Sequence, residues 1–210
     1  LNRNSKMNTI YETLSLESIF PHILLITLNR PKVSNAFNTQ MGHDLINLFE
    51  KFSIKTNDLR ALVITGSGDK AFCAGGDLKE RNGMSDKAWF DQHLVYERMI
   101  RAIINCPIPT IGAINGAAFG GGCELAAALD FIYVSDNARF AQTEVKLGII
   151  PGAGGTQNLS RAVGERRAKE LILSGREFSA KEAFEWKLAN EIVTHKDLLK
   201  KTISIANQIA

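Results

Sequence analysis

The sequence predicts a single α/β domain. Apolar or alternating β-rich runs alternate with amphipathic helical patterns through its first two thirds, which favours a core with parallel strand pairing. Glycine-rich segments separate several of these elements. The 210 residues suit one domain, or a large domain with a small appendage, and can bury a substantial apolar core.

The first predicted elements are a hairpin, a helix and a strand. Residues 9–17 and 22–29 are β-rich runs separated by residues 18–21, which predicts a hairpin. An amphipathic helix follows, with Asn38 as a plausible N-cap, and residues 60–65 form a buried strand after it. The helix is predicted because apolar side chains recur at spacings of three and four, at Phe37, Met41, Leu45, Leu48, Phe49 and Phe52.

The central elements continue this alternation. Ser85 can cap a long helix that ends before the proline-containing segment 106–109, and residues 110–114 form a short strand after it. A glycine-rich turn then leads into an alanine-rich helix over residues 120–129. Residues 131–135 are again a strand.

The C-terminal third is predicted to be mainly helical. From Gly155 onward helical patterns dominate, with Ser179 heading one segment and Asp197 beginning another. Residues 1–8 are expected to be a cloning remnant or an extended start, because several residues precede Met7.

Composition argues against several classes of protein. Hydrophobic residues make up 45% and charged residues 22% of the chain, and the apolar runs are far shorter than a bilayer span, so neither disorder nor a membrane protein is expected. The net charge of +3, with scattered basic residues, gives no argument for nucleic-acid binding. The three cysteines show no paired spacing and no apolar leader opens the chain, so a cytoplasmic location is expected.

The most informative stretch is residues 115–124, where three consecutive glycines at a helix start precede Glu124. Alanine would serve packing equally well, so the glycines suggest that a ligand approaches the backbone, and free N–H groups at a helix N-terminus stabilise an anion. A P-loop would require Lys and Ser or Thr where Gly122 and Cys123 stand. A close contact between helix and strand remains the alternative. Glu124 favours a functional site, because the apolar run after it makes an ionised carboxylate costly.

Two other clusters can contribute to the same site. The turn at residues 72–79 can donate another N–H group, and the loop-rich segment 142–156 carries Glu144, which alone would more often be a surface carboxylate. A dinucleotide fingerprint beginning at Gly66 is disfavoured, because the residues after it are rich in glycine and show no helical pattern. No serine lies in a nucleophile elbow and the four histidines lack metal-ligand spacing, so no metal is predicted.

Taken together, the clusters resemble the crotonase, or enoyl-CoA hydratase and isomerase, superfamily over nearly the whole chain. Segments 29–32, 35–36, 74–79, 115–124 and 148–156 occur in the family's order and approximate spacing. The resemblance implies a spiral of ββα units with a helical C-terminal part that is shorter than in relatives. It also implies assembly as homotrimers or homohexamers.

Residue roles are implied by the same resemblance. The N–H groups of Gly76 and Gly121 would form an oxyanion hole for the thioester oxygen. Glu124 and Glu144 occupy the two catalytic positions of the hydratases, and Gly152 matches a backbone position that helps place the water. Glu144 is expected to activate the water, while Glu124 helps hold it and exchanges a proton with the α-carbon. Coenzyme A, as part of the substrate, would bind along Lys32, Ala36, Ala74, Asp77, Leu78 and Lys79.

The implied activity is that of an enoyl-CoA hydratase, which adds water reversibly to 2-enoyl-CoA to give 3-hydroxyacyl-CoA without a separate cofactor. Isomerases of this fold commonly keep only one of the two glutamates, so finding both favours hydration. The segment 79–85 looks like methylglutaconyl-CoA hydratases, which makes a branched substrate the closest alternative. A non-catalytic CoA-binding or scaffold protein is the alternative from a different class. The expected partner is an acyl-CoA thioester, without nucleic acid or membrane.

The sequence departs from the family pattern in two places. Many relatives carry alanine at Gly76, which we expect to be benign because only the N–H group is used. Relatives also continue beyond the point equivalent to Ala210, with helices that cover the acyl pocket and build the trimer. We therefore expect residues 9–195 to form the core and residues 196–210 to begin the C-terminal helical region.

Overall fold

The computed structural model describes residues 10–210, so the interpretation of residues 1–8 and the predicted strand start at residue 9 lie outside the described residues. The strands are β1 (Leu14–Phe20), β2 (Ile23–Leu28), β3 (Ala61–Gly66), β4 (Ala71–Cys73), β5 (Thr110–Ile114), β6 (Ala117–Phe119), β7 (Phe131–Ser135), β8 (Arg139–Ala141), β9 (Phe178–Ser179) and β10 (Glu191–Val193). The α-helices are α1 (Thr39–Ile54), α2 (Leu78–Arg81), α3 (Asp86–Ile104), α4 (Gly121–Ala128), α5 (Gly155–Val163), α6 (Glu165–Ser174), α7 (Ala180–Glu185) and α8 (Leu198–Ile209). Short 3₁₀ helices span Pro31–Val33, Glu144–Leu147 and His195–Asp197.

A six-stranded sheet with the order β1-β2-β3-β5-β7-β10 forms the centre of the molecule. Strand β1 is antiparallel to β2, and the remaining neighbours pair in parallel. Strands β3 and β5 are buried along their whole length, as expected for parallel strands covered on both faces. On β2, alternation sends Leu24 and Ile26 into the main core and Ile23 and Leu25 into a second cluster shared with α8. The predicted α/β core with parallel pairing is confirmed.

A smaller sheet has the order β4-β6-β8-β9 and is built from very short strands. Strands β4, β6 and β8 run parallel and have three residues each, and β9 pairs antiparallel with β8. Because parallel neighbours run in one direction, the carboxyl ends of β4, β6 and β8 lie at the same edge. They are followed, two or three residues later, by Gly76, Gly121 and Glu144 respectively.

The helices begin at the predicted caps. The side chains of Asn38, Ser85 and Ser179 each accept a hydrogen bond from the backbone N–H three residues later, which satisfies a free donor of the first turn. Asp197 occupies the N-cap position of α8 without such a bond. The apolar positions that predicted α1 are all buried, namely Phe37, Met41, Leu45, Leu48, Phe49 and Phe52.

Two local predictions were wrong. Residues 18–20 belong to β1 and not to the turn, because Phe20 pairs with Ile23 and leaves only two residues between the strands. The predicted glycine-rich turn after β5 contains β6. The C-terminal third is mainly helical, as predicted, and also contains the short strands β9 and β10. These strands have two or three residues each, too few for a pattern of period two to be visible.

Candidate active site

A cavity of about 700 Å³ lies at the edge of the small sheet where β4, β6 and β8 end. Seven of the predicted site residues line it: Ala74, Gly76, Leu78, Gly121, Glu124, Glu144 and Gly152. The predicted residues Lys32, Ala36, Asp77 and Lys79 lie outside its wall.

The backbone of Phe37 fixes the orientation of Gly76. The Phe37 N–H donates to the Gly75 carbonyl at 2.7 Å, and the Asp77 N–H donates to the Phe37 carbonyl at 2.7 Å. In this parallel bridge the residue between the two bonded groups turns its own N–H and carbonyl away from the partner. Within residues 10–210 the Gly76 N–H has no hydrogen-bond acceptor, so it is available to a ligand in the cavity.

The three glycines at the start of α4 differ in what the structure requires at each position. Gly120 has φ 51° and ψ −123°, a conformation that side chains rarely adopt. At Gly122 a Cβ would lie 2.0 Å from the Cys73 carbonyl oxygen, so no side chain fits where α4 meets the end of β4. The expectation that the run serves no packing purpose was therefore wrong at Gly122. Gly121 alone combines a cavity position with an N–H that lacks an acceptor in the described part of the chain.

The Gly76 and Gly121 amides belong to neighbouring loops. A Cβ on Gly75 would lie 3.2 Å from the Gly121 nitrogen, so the loop after β4 touches the start of α4. The N-terminus of α4 also carries the partial positive charge of a helix end. Two free N–H groups beside such an end can stabilise a negatively charged oxygen.

Glu124 lies in the first turn of α4 and is 3% exposed. Its Oε1 accepts hydrogen bonds from the backbone N–H groups of Ala153 and Gly155, both at 2.8 Å. Burial, with a smaller contribution from the charge of Glu144, raises the pKa of Glu124 to about 7, although the two N–H bonds oppose the shift. Glu124 can therefore hold or release a proton near neutral pH.

Glu144 begins the 3₁₀ helix after β8 and is 8% exposed. Its Oε2 is buried and has no hydrogen-bond partner within the described residues. Burial raises the pKa of Glu144 above its ordinary value. A Cβ on Gly120 would lie 3.2 Å from Glu144 Oε1, which places this carboxylate beside the glycine run. Considered alone, Glu144 would more often be a surface carboxylate. In the structure it is buried and lines the same cavity as Glu124.

The predicted coenzyme A residues lie on two loops that one arginine joins. Arg30 Nη1 donates to the Ala36 carbonyl at 2.6 Å and to Asp77 Oδ2 at 2.9 Å. Asp77 Oδ1 accepts a hydrogen bond from the Lys79 N–H at 3.1 Å and so caps α2. The Asp77 carboxylate is thus used within the protein to hold the loop. Lys32 and Lys79 are exposed, and neither forms an ion pair among residues 10–210.

Gly152 lies on the loop that leads into α5. A Cβ there would lie 2.3 Å from His93 Cε1, so a side chain at this position would require the His93 ring to move. The next residues of the loop, Ala153 and Gly155, provide the N–H donors to Glu124. Gly152 therefore lines the cavity wall next to one of the buried acids.

Sequence reasoning missed the wall that α3 contributes. Trp89, His93 and Tyr96 line the cavity, and their spacing of four and three was a visible sign of one helix face. Arg81 at the end of α2 lines it too. Gln142 is fully buried, and within residues 10–210 both polar atoms of its side chain lack hydrogen-bond partners. Its position shortly before Glu144 was the only sequence sign of a role near the site.

Other kinds of site are less well supported. Among residues 10–210 no group of three or more His, Cys, Asp or Glu side chains could hold a metal ion, and that no metal or cofactor is needed stays a prediction. None of the helices described within residues 10–210 has the length and apolar character of a bilayer span. The cysteines are free, and burial raises the pKa of Cys73 to about 12 and that of Cys123 as well, so neither supplies a thiolate near neutral pH.

The chain matches the family model described as "Enoyl-CoA hydratase/isomerase" over residues 19–210. It is 37% identical over 187 residues to the short-chain-enoyl-CoA hydratase of Clostridium acetobutylicum, which covers 89% of this chain and 71% of that relative. It is 38% identical over 201 residues to the crotonyl-CoA hydratase of Syntrophomonas wolfei, covering 95% of this chain and 76% of that relative.

The fold is also similar to solved structures. Superposition on the crystal structure of an enoyl-CoA hydratase from Bacillus anthracis gives a TM-score of 0.91 at 41% identity, covering 94% of this chain and 76% of that chain. The mixed α/β architecture predicted from the sequence is therefore shared with a protein of the resembled superfamily.

Proposed function

Because the chain belongs to the enoyl-CoA hydratase/isomerase family, we propose that it binds 2-enoyl-CoA thioesters and adds water reversibly to give 3-hydroxyacyl-CoA. One observation carries the choice of hydration: two buried glutamates with raised pKa values face one cavity with two free backbone N–H groups. Hydration needs a proton acceptor for the water and a proton donor for the α-carbon. A pair of acids near the same oxyanion site can fill both positions.

The proposed step balances without a cofactor. The thioester oxygen accepts hydrogen bonds from the Gly76 and Gly121 amides while negative charge develops on it. The water oxygen forms a bond to the β-carbon and one water proton passes to a glutamate carboxylate. The other glutamate, in its protonated form, gives its proton to the α-carbon. Proton transfer between the acids, directly or through solvent, restores the starting state.

The roles of the two acids stay as the resemblance implies. Glu144 Oε2 is buried and has no hydrogen-bond partner within residues 10–210, so it can accept a hydrogen bond from water. Glu124, with a pKa of about 7, is populated in both protonation states near neutral pH and would exchange the proton with the α-carbon. Deuterium exchange at the α-carbon of butyryl-CoA isolates that step, since no water adds to a saturated chain. Glu124→Gln should reduce this exchange more than Glu144→Gln, and the opposite order would interchange the two roles.

The activity itself is tested with crotonyl-CoA. Loss of the absorbance of the conjugated enoyl thioester, with 3-hydroxybutyryl-CoA identified by chromatography, is the expected result. Glu124→Gln and Glu144→Gln should each lower kcat by at least about 10²-fold, and the double variant should lose less than the product. Glu50→Gln, which changes an exposed carboxylate paired with Arg98, is the matched control. No change in absorbance at high protein concentration would favour the non-catalytic scaffold, and a shifted double bond would favour an isomerase.

The proposal includes the expected assembly and location, a cytoplasmic homotrimer or homohexamer. Large apolar side chains in the C-terminal third support a contact between copies, because Leu173 is 73% and Phe184 48% exposed. Sedimentation equilibrium gives the mass directly. A monomer at micromolar concentration would contradict the assembly without affecting the proposed reaction.

A further inference from the structure

The two amides of the proposed oxyanion site are held in place in different ways. In a trans peptide the carbonyl and the N–H point in opposite directions, so a hydrogen bond to the carbonyl fixes the direction of the N–H. The Gly120 carbonyl shares a peptide with the Gly121 N–H. It accepts hydrogen bonds from the N–H groups of Cys123 and Glu124, at 2.9 and 3.0 Å. The first turn of α4 therefore fixes the Gly121 amide.

The Gly76 amide depends on Phe37 instead. The Gly75 carbonyl shares a peptide with the Gly76 N–H, and it accepts a hydrogen bond from the Phe37 N–H at 2.7 Å. On the other side of Gly76, the Asp77 N–H donates to the Phe37 carbonyl at 2.7 Å. Phe37 thus holds both peptides that flank Gly76. A rotation of the Phe37 backbone would turn the Gly76 N–H away from its direction into the cavity.

The side chain of Phe37 contacts the second amide loop. A Cβ on Gly121 would lie 3.2 Å from Phe37 Cδ2 and 3.3 Å from Phe37 Cε2, so the ring lies against the start of α4. Phe37 is 1% exposed, and a closely packed ring of this kind leaves its neighbours little room to shift. The backbone of Phe37 therefore positions Gly76, while its ring limits the approach of Gly121.

Tyr96 on α3 fixes Phe37. Its hydroxyl donates to the Phe37 carbonyl at 2.8 Å. Because the same carbonyl accepts the Asp77 N–H, both of its lone pairs are used and its direction is set from two sides. The Tyr96 ring is buried, with its centroid 6.1 Å from that of the Phe37 ring. Burial raises the pKa of Tyr96 above its ordinary value, so the hydroxyl remains a donor at neutral pH.

From these contacts, and resting on the proposed function, we infer that Tyr96 is a positioning residue of the reaction. Its hydroxyl holds the Phe37 carbonyl and thereby keeps the Gly76 N–H directed at the thioester oxygen, at a set distance from the Gly121 N–H. The transition state gains most from this, because negative charge on the oxygen is then largest and a donor stabilises it only in the correct position. Tyr96 lines the cavity with its ring, while its hydroxyl proton is used within the protein.

The alternative is a bond that only joins α3 to the segment before α1. Such a bond would affect the free energy of unfolding, but it would not change how strongly a bound thioester carbonyl is polarised. Tyr96→Phe removes the hydroxyl and keeps the ring, so the two roles can be separated. Phe37→Leu provides a second variant, since it removes the ring and leaves the backbone bonds to Gly75 and Asp77 available.

The test measures the polarisation of the carbonyl and the turnover separately. Butyryl-CoA, labelled with ¹³C at the thioester carbonyl, binds without being hydrated, and hydrogen bonds from the two amides should move its ¹³C resonance downfield. We expect a smaller downfield shift in Tyr96→Phe and in Phe37→Leu than in the wild type. In Tyr96→Phe, kcat for crotonyl-CoA should fall about 10-fold while KM changes less than about 2-fold, because a displaced donor acts mainly on the transition state.

Tyr11→Phe is the matched control, because its hydroxyl donates to Asn47 at 3.0 Å on the exposed surface, away from the cavity. Neither the ¹³C shift nor kcat should change in this variant. A wild-type ¹³C shift in folded Tyr96→Phe or Phe37→Leu would overturn the inference, as would loss of the fold in both, which would make the contact structural. Wild-type protein that binds butyryl-CoA with a downfield shift but does not hydrate crotonyl-CoA would refute the proposed function, and the comparison of shifts would still decide the role of Tyr96.

Discussion

Replacing Glu124 by glutamine should stabilise the protein at neutral and alkaline pH. The pKa of Glu124 is raised from 4.5 to about 7, chiefly by burial and further by the charge of Glu144. Each pKa unit corresponds to about 1.4 kcal/mol, so ionised Glu124 costs the folded state about 3 kcal/mol. Glutamine has a similar shape and stays uncharged, and its oxygen can still accept the N–H groups of Ala153 and Gly155.

The direction of the pH dependence follows from proton binding in the two states. Below pH 4.5 the carboxyl group is protonated in both states, and its favourable contribution to folding is fully present. Between pH 4.5 and about 7 the unfolded chain releases the proton while the folded protein keeps it, so this contribution is lost as the pH rises. The free energy of unfolding of Glu124→Gln, relative to the wild type, should therefore increase over this window.

Urea unfolding followed by circular dichroism measures the effect. We expect the difference between Glu124→Gln and the wild type to grow by about 3 kcal/mol across the window, with most of the change between pH 5 and pH 8. Glu17→Gln, which changes an exposed carboxylate on β1, controls for the loss of an arbitrary acid. A difference that is the same at pH 5 and pH 8 would refute the raised pKa and the proton-exchange role built on it.

Further predictions concern the backbone and the two lysines. Gly121→Pro removes the N–H and should lower kcat/KM about 10²-fold relative to Gly121→Ala. Circular dichroism should show that both variants fold. Equal activity of the two variants would remove this amide from the proposed oxyanion site. Gly76→Ala should stay active, because the nearest atom to its Cβ is the Arg81 guanidinium carbon at 3.4 Å, an ordinary van der Waals distance, and inactivity would show that more than the N–H is used. Lys32→Ala and Lys79→Ala should each raise KM more than they lower kcat, and the increase in KM should shrink at high salt. KM values equal to those of the wild type at every salt concentration would show that these lysines do not contact the substrate. Gly122→Ala should lower the free energy of unfolding by about 3 kcal/mol or more, because its Cβ would lie 2.0 Å from a backbone carbonyl oxygen, and wild-type thermal stability would contradict that contact.

The long helices could be predicted because their signals are local. The side chains of Asn38, Ser85 and Ser179 each bind a backbone N–H only three residues later in the sequence. The apolar positions of α1 repeat over several turns. Both signals depend on neighbours in sequence, so one sequence is enough to detect them. All strands of the large sheet except β10 were visible for a related reason, since β3 and β5, for example, are apolar runs between breakers.

The small sheet could not be predicted because its evidence is not local. Strands of three residues contain one alternation at most, and their stability comes from neighbours far away in the sequence. The cavity wall from α3 was missed for the same reason, because Arg81 and Gln92 meet only after α2 and α3 have packed. The glycine motifs were nevertheless recognisable, and at Gly120 and Gly122 the backbone itself requires glycine.

The position of Glu144 depends both on a local sequence signal, the glycine run, and on strand pairing between residues distant in sequence. Its burial depends on β8 lying beside β6, with Phe119 paired to Ala141, because this register sets the 3₁₀ helix after β8 next to the turn at Gly120. Gly120 has no side chain, and a Cβ there would lie 3.2 Å from Glu144 Oε1. The glycine run that suggested an exposed backbone in the sequence thus also makes room for the second acid in the fold. The Gly76 and Gly121 amides and both glutamates are consequently positioned by one short parallel ladder. A register slip between β6 and β8 would separate the acids and leave the glycine motif intact.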